Sequence, residues 1–153
     1  MKRRFSFTGL MLSAVLIANT FALPLPAAEG RKLVLVAGGQ SAAAVLSPEE
    51  VRKLYLGVAV TKDGKTFLPL CNHTDMVAYE VFMQKIMYMS GPVYERALMT
   101  RVVRTMSNRP PEYAAEKELL QALAATPNAV TYMWADKAQA AGLKVVAELW
   151  QEK

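Results

Sequence analysis

The segment Lys32–Gly38 reads KLVLVAG, a nearly continuous apolar run that ends in glycine. Because polar residues do not alternate with the apolar ones, this run predicts a strand buried within a sheet. Two further strands are predicted, at AVTYMW and at LKVVAEL. Helical patterns separate the strands along the chain, and this alternation is typical of an α/β layer fold. We therefore expect a mixed sheet flanked by helices.

The stretch SPEEVRKLYLG carries the clearest local signal for a helix. Ser47 and Glu50 have the spacing of a capping box, in which each side chain bonds the backbone N–H of the other residue. Pro48 suits the first helical position, and Gly57 suits a left-handed stop. The apolar face of this helix is expected to carry Val51, Leu54 and Tyr55.

Two extended runs around Asp63–Gly64 predict a hairpin, and Pro69 predicts an edge position or a strand end. A long helix is expected from Thr74, and Ser90–Gly91–Pro92 should break it before a second helix at about Val93–Met106. The apolar faces of the two helices are expected to carry Val77, Val81, Phe82 and Met89 in the first, and Ala97, Leu98, Val102 and Val103 in the second.

Sulfur-containing side chains raise the question of reactive or metal-binding chemistry. Cys71 is the single cysteine, so no internal disulfide forms, and a small buried residue is favoured over a reactive thiol beside His73. Four of the nine methionines lie between Met76 and Met89, where core filling is favoured over copper binding. With one histidine and no clustered carboxylates, we expect no metal site and no cofactor.

The first 28 residues predict a secretory signal peptide, with a basic start, an apolar middle and small residues at the exit. Cleavage is expected after Ala28, with Ala22 as the second choice and an uncleaved anchor as the alternative. The expected location is therefore periplasmic, with one domain at residues 29–153. Membrane contact would come only through the signal peptide or a membrane partner.

Net charge excludes nucleic acid as an expected partner once the leader is set aside. Residues 29–153 contain 15 basic and 13 acidic residues, a net charge of +2, because three basic residues lie in the leader. No basic stripe of the kind that tracks a phosphate backbone remains. The basic cluster worth noting comprises Arg96, Arg101, Arg104 and Arg109.

Two segments resemble the phosphate-specific periplasmic solute-binding proteins of ABC transporters. LSPEEVRKLYLGVAVTKDGKTFLPL is similar to a helix followed by a hairpin in that family, and TPNAVTYMWADKAQAAGLKVV is similar to a later strand–helix–strand segment. The matching positions of the later segment are Pro127, Ala129, Val130, Tyr132, Leu143 and Val145. The resemblance covers about Lys32–Leu149 and implies a single lobe of a type 2 periplasmic-binding-protein fold.

The resemblance also implies an anion site at the start of a helix, where the family has an arginine followed by serine, glycine and threonine. The corresponding residues here, our candidate ligand-binding site, are Asn72, His73, Thr74 and Asp75. Thr74 keeps a hydroxyl, but the arginine and the glycine are missing. Asp75 adds a negative charge that would itself accept from the free N–H groups. An ordinary helix cap and a weak anion site both remain open.

The function expected from these features is that of an exported solute-binding-like protein with weak or lost oxyanion binding. Phosphate or another small oxyanion is the expected ligand, and an ABC permease, a sensor or a second copy is the expected partner. The alternative is a non-enzymatic interaction or sensing module that uses the open face of the lobe. Its candidate aromatic anchors are Tyr88, Tyr94, Trp134 and Trp150, although burial is favoured for each of them taken singly. No enzyme is expected, because no nucleophile–base motif or phosphate-binding loop is found.

Overall fold

A computed structural model describes residues 30–38 and 44–153. The predicted signal peptide, residues 1–28, both of its cleavage sites and part of the loop after the first strand lie outside the described residues. The strands are β1 (Lys32–Ala37), β2 (Thr61–Lys62), β3 (Lys65–Thr66), β4 (Leu68–Pro69), β5 (Cys71–Asn72), β6 (Glu112–Tyr113), β7 (Ala129–Trp134) and β8 (Lys144–Gln151). The helices are α1 (Pro48–Tyr55), α2 (Met76–Phe82), α3 (Gly91–Thr105), α4 (Glu116–Ala125) and α5 (Ala135–Ala140), and a π-helical turn (Met83–Met87) extends α2.

Four strands form the main sheet in the order β4-β7-β1-β8. Strand β1 is antiparallel to both β7 and β8, whereas β4 is parallel to β7. The sheet is therefore mixed, and helices cover both of its faces, as the sequence predicted. Two small ribbons lie beside it, the antiparallel pair β2–β3 and the parallel pair β5–β6.

Strand β1 is buried on both of its faces, which explains why the sequence KLVLVAG does not alternate between apolar and polar residues. Leu33 and Leu35 belong to a core shared with α1, α2 and α3, whereas Val34 and Val36 belong to a second core shared with α4 and α5. All four side chains are almost fully buried. The layers are thus helices, sheet and helices, with β1 in the middle.

Helix α1 begins with the expected capping box. The Ser47 hydroxyl accepts from the Glu50 N–H at 3.2 Å, and the Ser47 N–H donates to the Glu50 carboxylate at 2.7 Å. Gly57 has φ +77°, the left-handed conformation that ends helices most readily at glycine. The expected apolar residues, Val51, Leu54 and Tyr55, are all buried.

The hairpin β2–β3 and the edge strand β4 also follow the sequence. Asp63 and Gly64 both have positive φ, 52° and 71°, which matches the twist of a two-residue hairpin turn. Pro69 lies in β4 at the edge of the sheet, where its missing N–H leaves no ladder position unfilled.

The predicted apolar faces of α2 and α3 are partly wrong. Val77 is 52% exposed and Val103 is 71% exposed. In the first helix the buried side chains are Ala78, Phe82, Met83, Ile86 and Met87. Ala78, Phe82 and Ile86 follow one another at four-residue intervals, the spacing that places side chains on one face of a helix. In α3 the residues that face the core are Tyr94 and Leu98, and the predicted Val102 is half-buried against the same core.

Replacement of Ser47 by alanine should destabilise the protein by about 1 kcal/mol, because the Glu50 N–H loses its acceptor at the start of α1. Urea unfolding followed by circular dichroism measures this change. Ser90→Ala is the matched control, since Ser90 precedes α3 without making a side-chain cap. Equal losses in the two variants would contradict a stabilising role for the capping box.

Candidate functional site

The candidate residues form the connection between β5 and α2. Asn72 is the last residue of β5 and is buried. Its amide nitrogen donates to the Tyr132 carbonyl at 2.8 Å, and its own carbonyl accepts from the Tyr132 hydroxyl at 3.0 Å. Asn72 therefore ties β5 to β7 and uses its polar atoms within the protein.

Thr74 completes the turn that leads into α2. Its backbone N–H and its hydroxyl both donate to the side-chain oxygen of Asn72, at 2.9 and 2.8 Å. The Thr74 hydroxyl, which was a predicted donor to an anion, thus donates its hydrogen bond within the turn. This arrangement is an Asx-type turn, in which a side-chain amide oxygen replaces a backbone acceptor.

Asp75 is the N-cap of α2, and four donors surround its carboxylate. One oxygen accepts from the backbone N–H groups of Val77 and Ala78, at 3.0 and 3.1 Å. The other oxygen accepts from the indole N–H of Trp134 at 3.0 Å and from the ammonium of Lys137 at 3.4 Å. An anion does lie at the start of α2, and it is a side chain of the protein.

The environment of Asp75 favours its charged form. Burial is the largest influence and raises the pKa of the carboxyl group, but bonds from the Ala78 N–H, Lys137 and Trp134 together outweigh it. The resulting pKa lies below the ordinary value of 3.8. Asp75 is therefore ionised at neutral pH. Its negative charge balances the positive N-terminal end of the α2 dipole and the ammonium group of Lys137.

His73 packs against an aromatic ring beside the turn. Its ring centroid lies 4.6 Å from that of Tyr79, with the planes tilted by 56°. Its backbone N–H donates to the Tyr113 carbonyl at 2.8 Å, which joins the turn to β6. The imidazole of His73 is half-buried. In contrast to the other three candidate residues, its polar side-chain atoms make no hydrogen bond within the described residues.

Cys71 is a buried core residue, as the favoured interpretation held. It is 2% exposed, and its sulfur lies 3.8 Å from the Tyr94 hydroxyl. Burial raises the pKa of the thiol to about 12, so the nucleophilic thiolate is scarcely populated at neutral pH. This environment disfavours the alternative of a reactive thiol paired with His73.

The space at the tip of α2 is too small for an oxyanion of phosphate size. The cleft between Asn72, Asp75, Trp134 and Lys137 has a volume of about 10 Å³. That volume suffices for about one water molecule. The sequence predicted the residues on one side of this cleft, which belong to the turn before α2. It did not predict Trp134 and Lys137 on the other side, because they are about 60 residues away along the chain and no local pattern relates them to Asp75.

Larger grooves lie elsewhere on the surface. One of about 570 Å³ follows the π-helical turn and includes Tyr79, Met83 and Tyr88. Another of about 400 Å³ lies beside the edge strand β4, between Leu68 and Pro110. Neither groove contains a member of the candidate site.

The four candidate anchor residues differ in exposure. Tyr88 is 73% exposed, whereas Tyr94 and Trp134 are buried and Trp150 is half-buried. Tyr94 and Trp134 are therefore excluded as exposed anchors, in agreement with the burial favoured for each of these aromatic residues. The Tyr94 hydroxyl donates to the Tyr55 carbonyl at 2.8 Å, and this bond explains why a tyrosine is tolerated inside the core.

Within residues 30–38 and 44–153, no three histidine, cysteine, aspartate or glutamate side chains gather as a metal-binding group. None of the helices described has both the length and the apolar character needed to cross a membrane.

Comparison with known protein families, with curated proteins and with solved structures gives no match to this chain.

Replacement of Asp75 by alanine should lower the free energy of unfolding by about 1–2 kcal/mol at pH 7, since it removes the cap and leaves the buried Trp134 N–H without its acceptor. The pKa of Asp75 is lowered in the folded state. The carboxylate therefore contributes fully to the free energy of unfolding above its unfolded-state pKa of 3.8, and this contribution is lost as the pH falls through the lower folded-state pKa. The difference in free energy of unfolding between Asp75→Ala and the native protein should therefore become smaller below about pH 4.

Urea unfolding at several pH values measures both effects. Asp136→Ala is the matched control, because Asp136 is exposed and makes no hydrogen bond or ion pair within the described residues. A loss that is independent of pH, or an equal loss in the control, would contradict the capping role of the Asp75 carboxylate.

Proposed function

We propose that the protein is an exported, non-enzymatic, solute-binding-like protein in which oxyanion binding has been lost. In this proposal the chain is a single lobe related to the phosphate-binding subunits of ABC transporters. The observation that carries it is the set of four donors on Asp75, two from the start of α2 and two from Trp134 and Lys137. The carboxylate takes the position that a bound oxyanion would need.

Electrostatics support loss of binding over weak binding. A helix start attracts an anion because its first N–H groups have no intrahelical acceptor. Here the Val77 and Ala78 N–H groups donate to Asp75, and Lys137 lies on the same carboxylate. A phosphate would have to displace a fixed negative charge and would be repelled by it.

The arrangement of strands and helices supports kinship with a single lobe. A mixed sheet with helices on both faces is the architecture that the resemblance implies. Strands β4 and β5 lead directly into the turn at Asn72 and then into α2, so the candidate site follows a strand end. Ligands of α/β proteins commonly bind at such strand ends. The partner that fits this proposal is an ABC permease or a sensor in the periplasm.

Titration of the native protein with inorganic phosphate should release no heat at millimolar ligand, because Asp75 occupies the donors. The Asp75→Gly variant removes the charge, the volume of the carboxylate and its acceptor oxygens, so the freed Val77 and Ala78 N–H groups should bind phosphate weakly, in the millimolar range. Isothermal titration calorimetry measures binding to both proteins, with Asp136→Gly as the control for the loss of one carboxylate.

Heat of binding in the native protein would contradict the loss of oxyanion binding. Absence of binding in both the native protein and Asp75→Gly would contradict a vestigial anion site at α2.

Tyr88 favours a second candidate function, a module that binds a partner through an exposed aromatic side chain. Its φ is +56°, a left-handed conformation that costs about 1–2 kcal/mol for residues other than glycine. Tyr88 is 73% exposed, and its ring is 5.3 Å from the guanidinium carbon of Arg52. Stability therefore gives little reason for a tyrosine here, whereas exposed tyrosines often anchor protein interfaces.

Replacement of Tyr88 by glycine should leave stability unchanged or raise it by up to about 1 kcal/mol, because the left-handed strain is relieved. If a second copy is the partner, the variant should also lose concentration-dependent association in size-exclusion chromatography with light scattering. Met106→Gly is the matched control, since Met106 is also exposed with φ +50° but is not aromatic. A strictly monomeric native protein would exclude the second copy as the partner of Tyr88.

A further inference from the structure

Helix α3 has an outward face that neither proposed function uses. Its inward face is fixed by the buried residues Tyr94 and Leu98. On the opposite face Arg96 and Arg104 lie two turns apart along one row, and Met99 and Val103 lie along the adjacent row. Met99 is 47% exposed and Val103 is 71% exposed, so apolar and basic side chains reach solvent side by side.

The outward face carries a net positive charge. Arg96 and Arg104 are exposed and form no ion pair within the described residues. Arg101 is also exposed, but it lies two turns after Tyr94, on the side of the helix that bears the core residues. The single acidic residue of α3 is Glu95, and its carboxylate is held by Arg109 at 2.8 Å. Arg96 and Arg104 therefore remain available to an external anion.

We propose that the outward face of α3 docks on an anionic phospholipid surface. Arginine guanidinium groups match lipid phosphates in a bidentate geometry, and the interleaved valine and methionine side chains suit the boundary between headgroups and acyl chains. Because Tyr94 and Leu98 hold one face of α3 on the core, docking through the opposite face places the helix in the plane of the surface. The proposal is independent of the anion site at Asp75.

The combination of both residue types commits the surface to lipid rather than to an acidic protein. An acidic partner would neutralise Arg96 and Arg104 but would place charge against Met99, Val103 and the 90% exposed Met106. A lipid surface offers phosphate and hydrocarbon a few ångströms apart, so each row of α3 meets the chemistry that suits it.

Helix α4 provides an internal contrast. It lies in the layer on the other side of the sheet, because its Leu119 and Leu123 belong to the second core. Its exposed residues include Glu116, Lys117 and Glu118, so both signs of charge are present. A surface of mixed charge has no net attraction to an anionic membrane, and α4 is therefore a suitable control site.

Site-specific labelling tests the proposal in the full chain. Val103→Cys is labelled with an environment-sensitive fluorophore, and the native Cys71 is 2% exposed and does not compete for the label. Vesicles of equal parts phosphatidylglycerol and phosphatidylcholine should shift the emission to the blue, and vesicles of phosphatidylcholine alone should not. A label at Gln121→Cys on α4 should respond to neither.

Removal of two charges provides the matched comparison. Arg96→Gln/Arg104→Gln in the Val103→Cys background should raise the half-saturating lipid concentration about 30-fold, given about 1 kcal/mol for each arginine at a membrane surface. Lys65→Gln/Lys117→Gln in the same background removes the same net charge from exposed positions elsewhere. This control should change the half-saturating lipid concentration little. An unshifted label at position 103, an equal shift with neutral vesicles, or equal weakening by both double variants would overturn the proposal.

Discussion

The burial of β1 on both faces is the constraint on which the rest of the structure depends. No water reaches the backbone of a strand whose Leu35 and Val36 point into two different cores, so its amides must all be paired within the sheet. Strands β7 and β8, from the far part of the sequence, supply that pairing on the two sides. Because β1 needs both neighbours, formation of the sheet joins the beginning and the end of the described chain.

The same sheet determines what the tip of α2 can do. Strand β7 places Tyr132 against Asn72 and ends at Trp134, from which α5 carries Lys137 to the same carboxylate of Asp75. The tip is therefore held by partners from two elements, and the polar side-chain groups of Asn72, Thr74 and Asp75 are satisfied before any ligand arrives. A rigid, internally satisfied cap of this kind stabilises the fold at the expense of binding.

Features encoded by neighbouring residues were predictable, and features that join distant residues were not. The Ser47–Glu50 cap, the Asp63–Gly64 turn and the burial of Cys71 were read correctly because spacing and residue type decide them locally. The contacts of Asp75 with Trp134 and Lys137 have no local signal, since only the folded sheet brings them together. The exposed side of α3 was misjudged at Val103, which was assigned to the core-facing row because it is apolar.

The π-helical turn gives residues Met83–Met87 one more residue than an α-helical turn would use. Deletion of one residue there would replace the wide turn by an ordinary α-helical turn, because the extra residue is what the wide turn accommodates. The cap at Asp75 and the break at Ser90 would then both keep their places. The same deletion within Met76–Phe82 would instead rotate the residues that follow by about 100°. The turn is thus the part of this helix that tolerates a change of length.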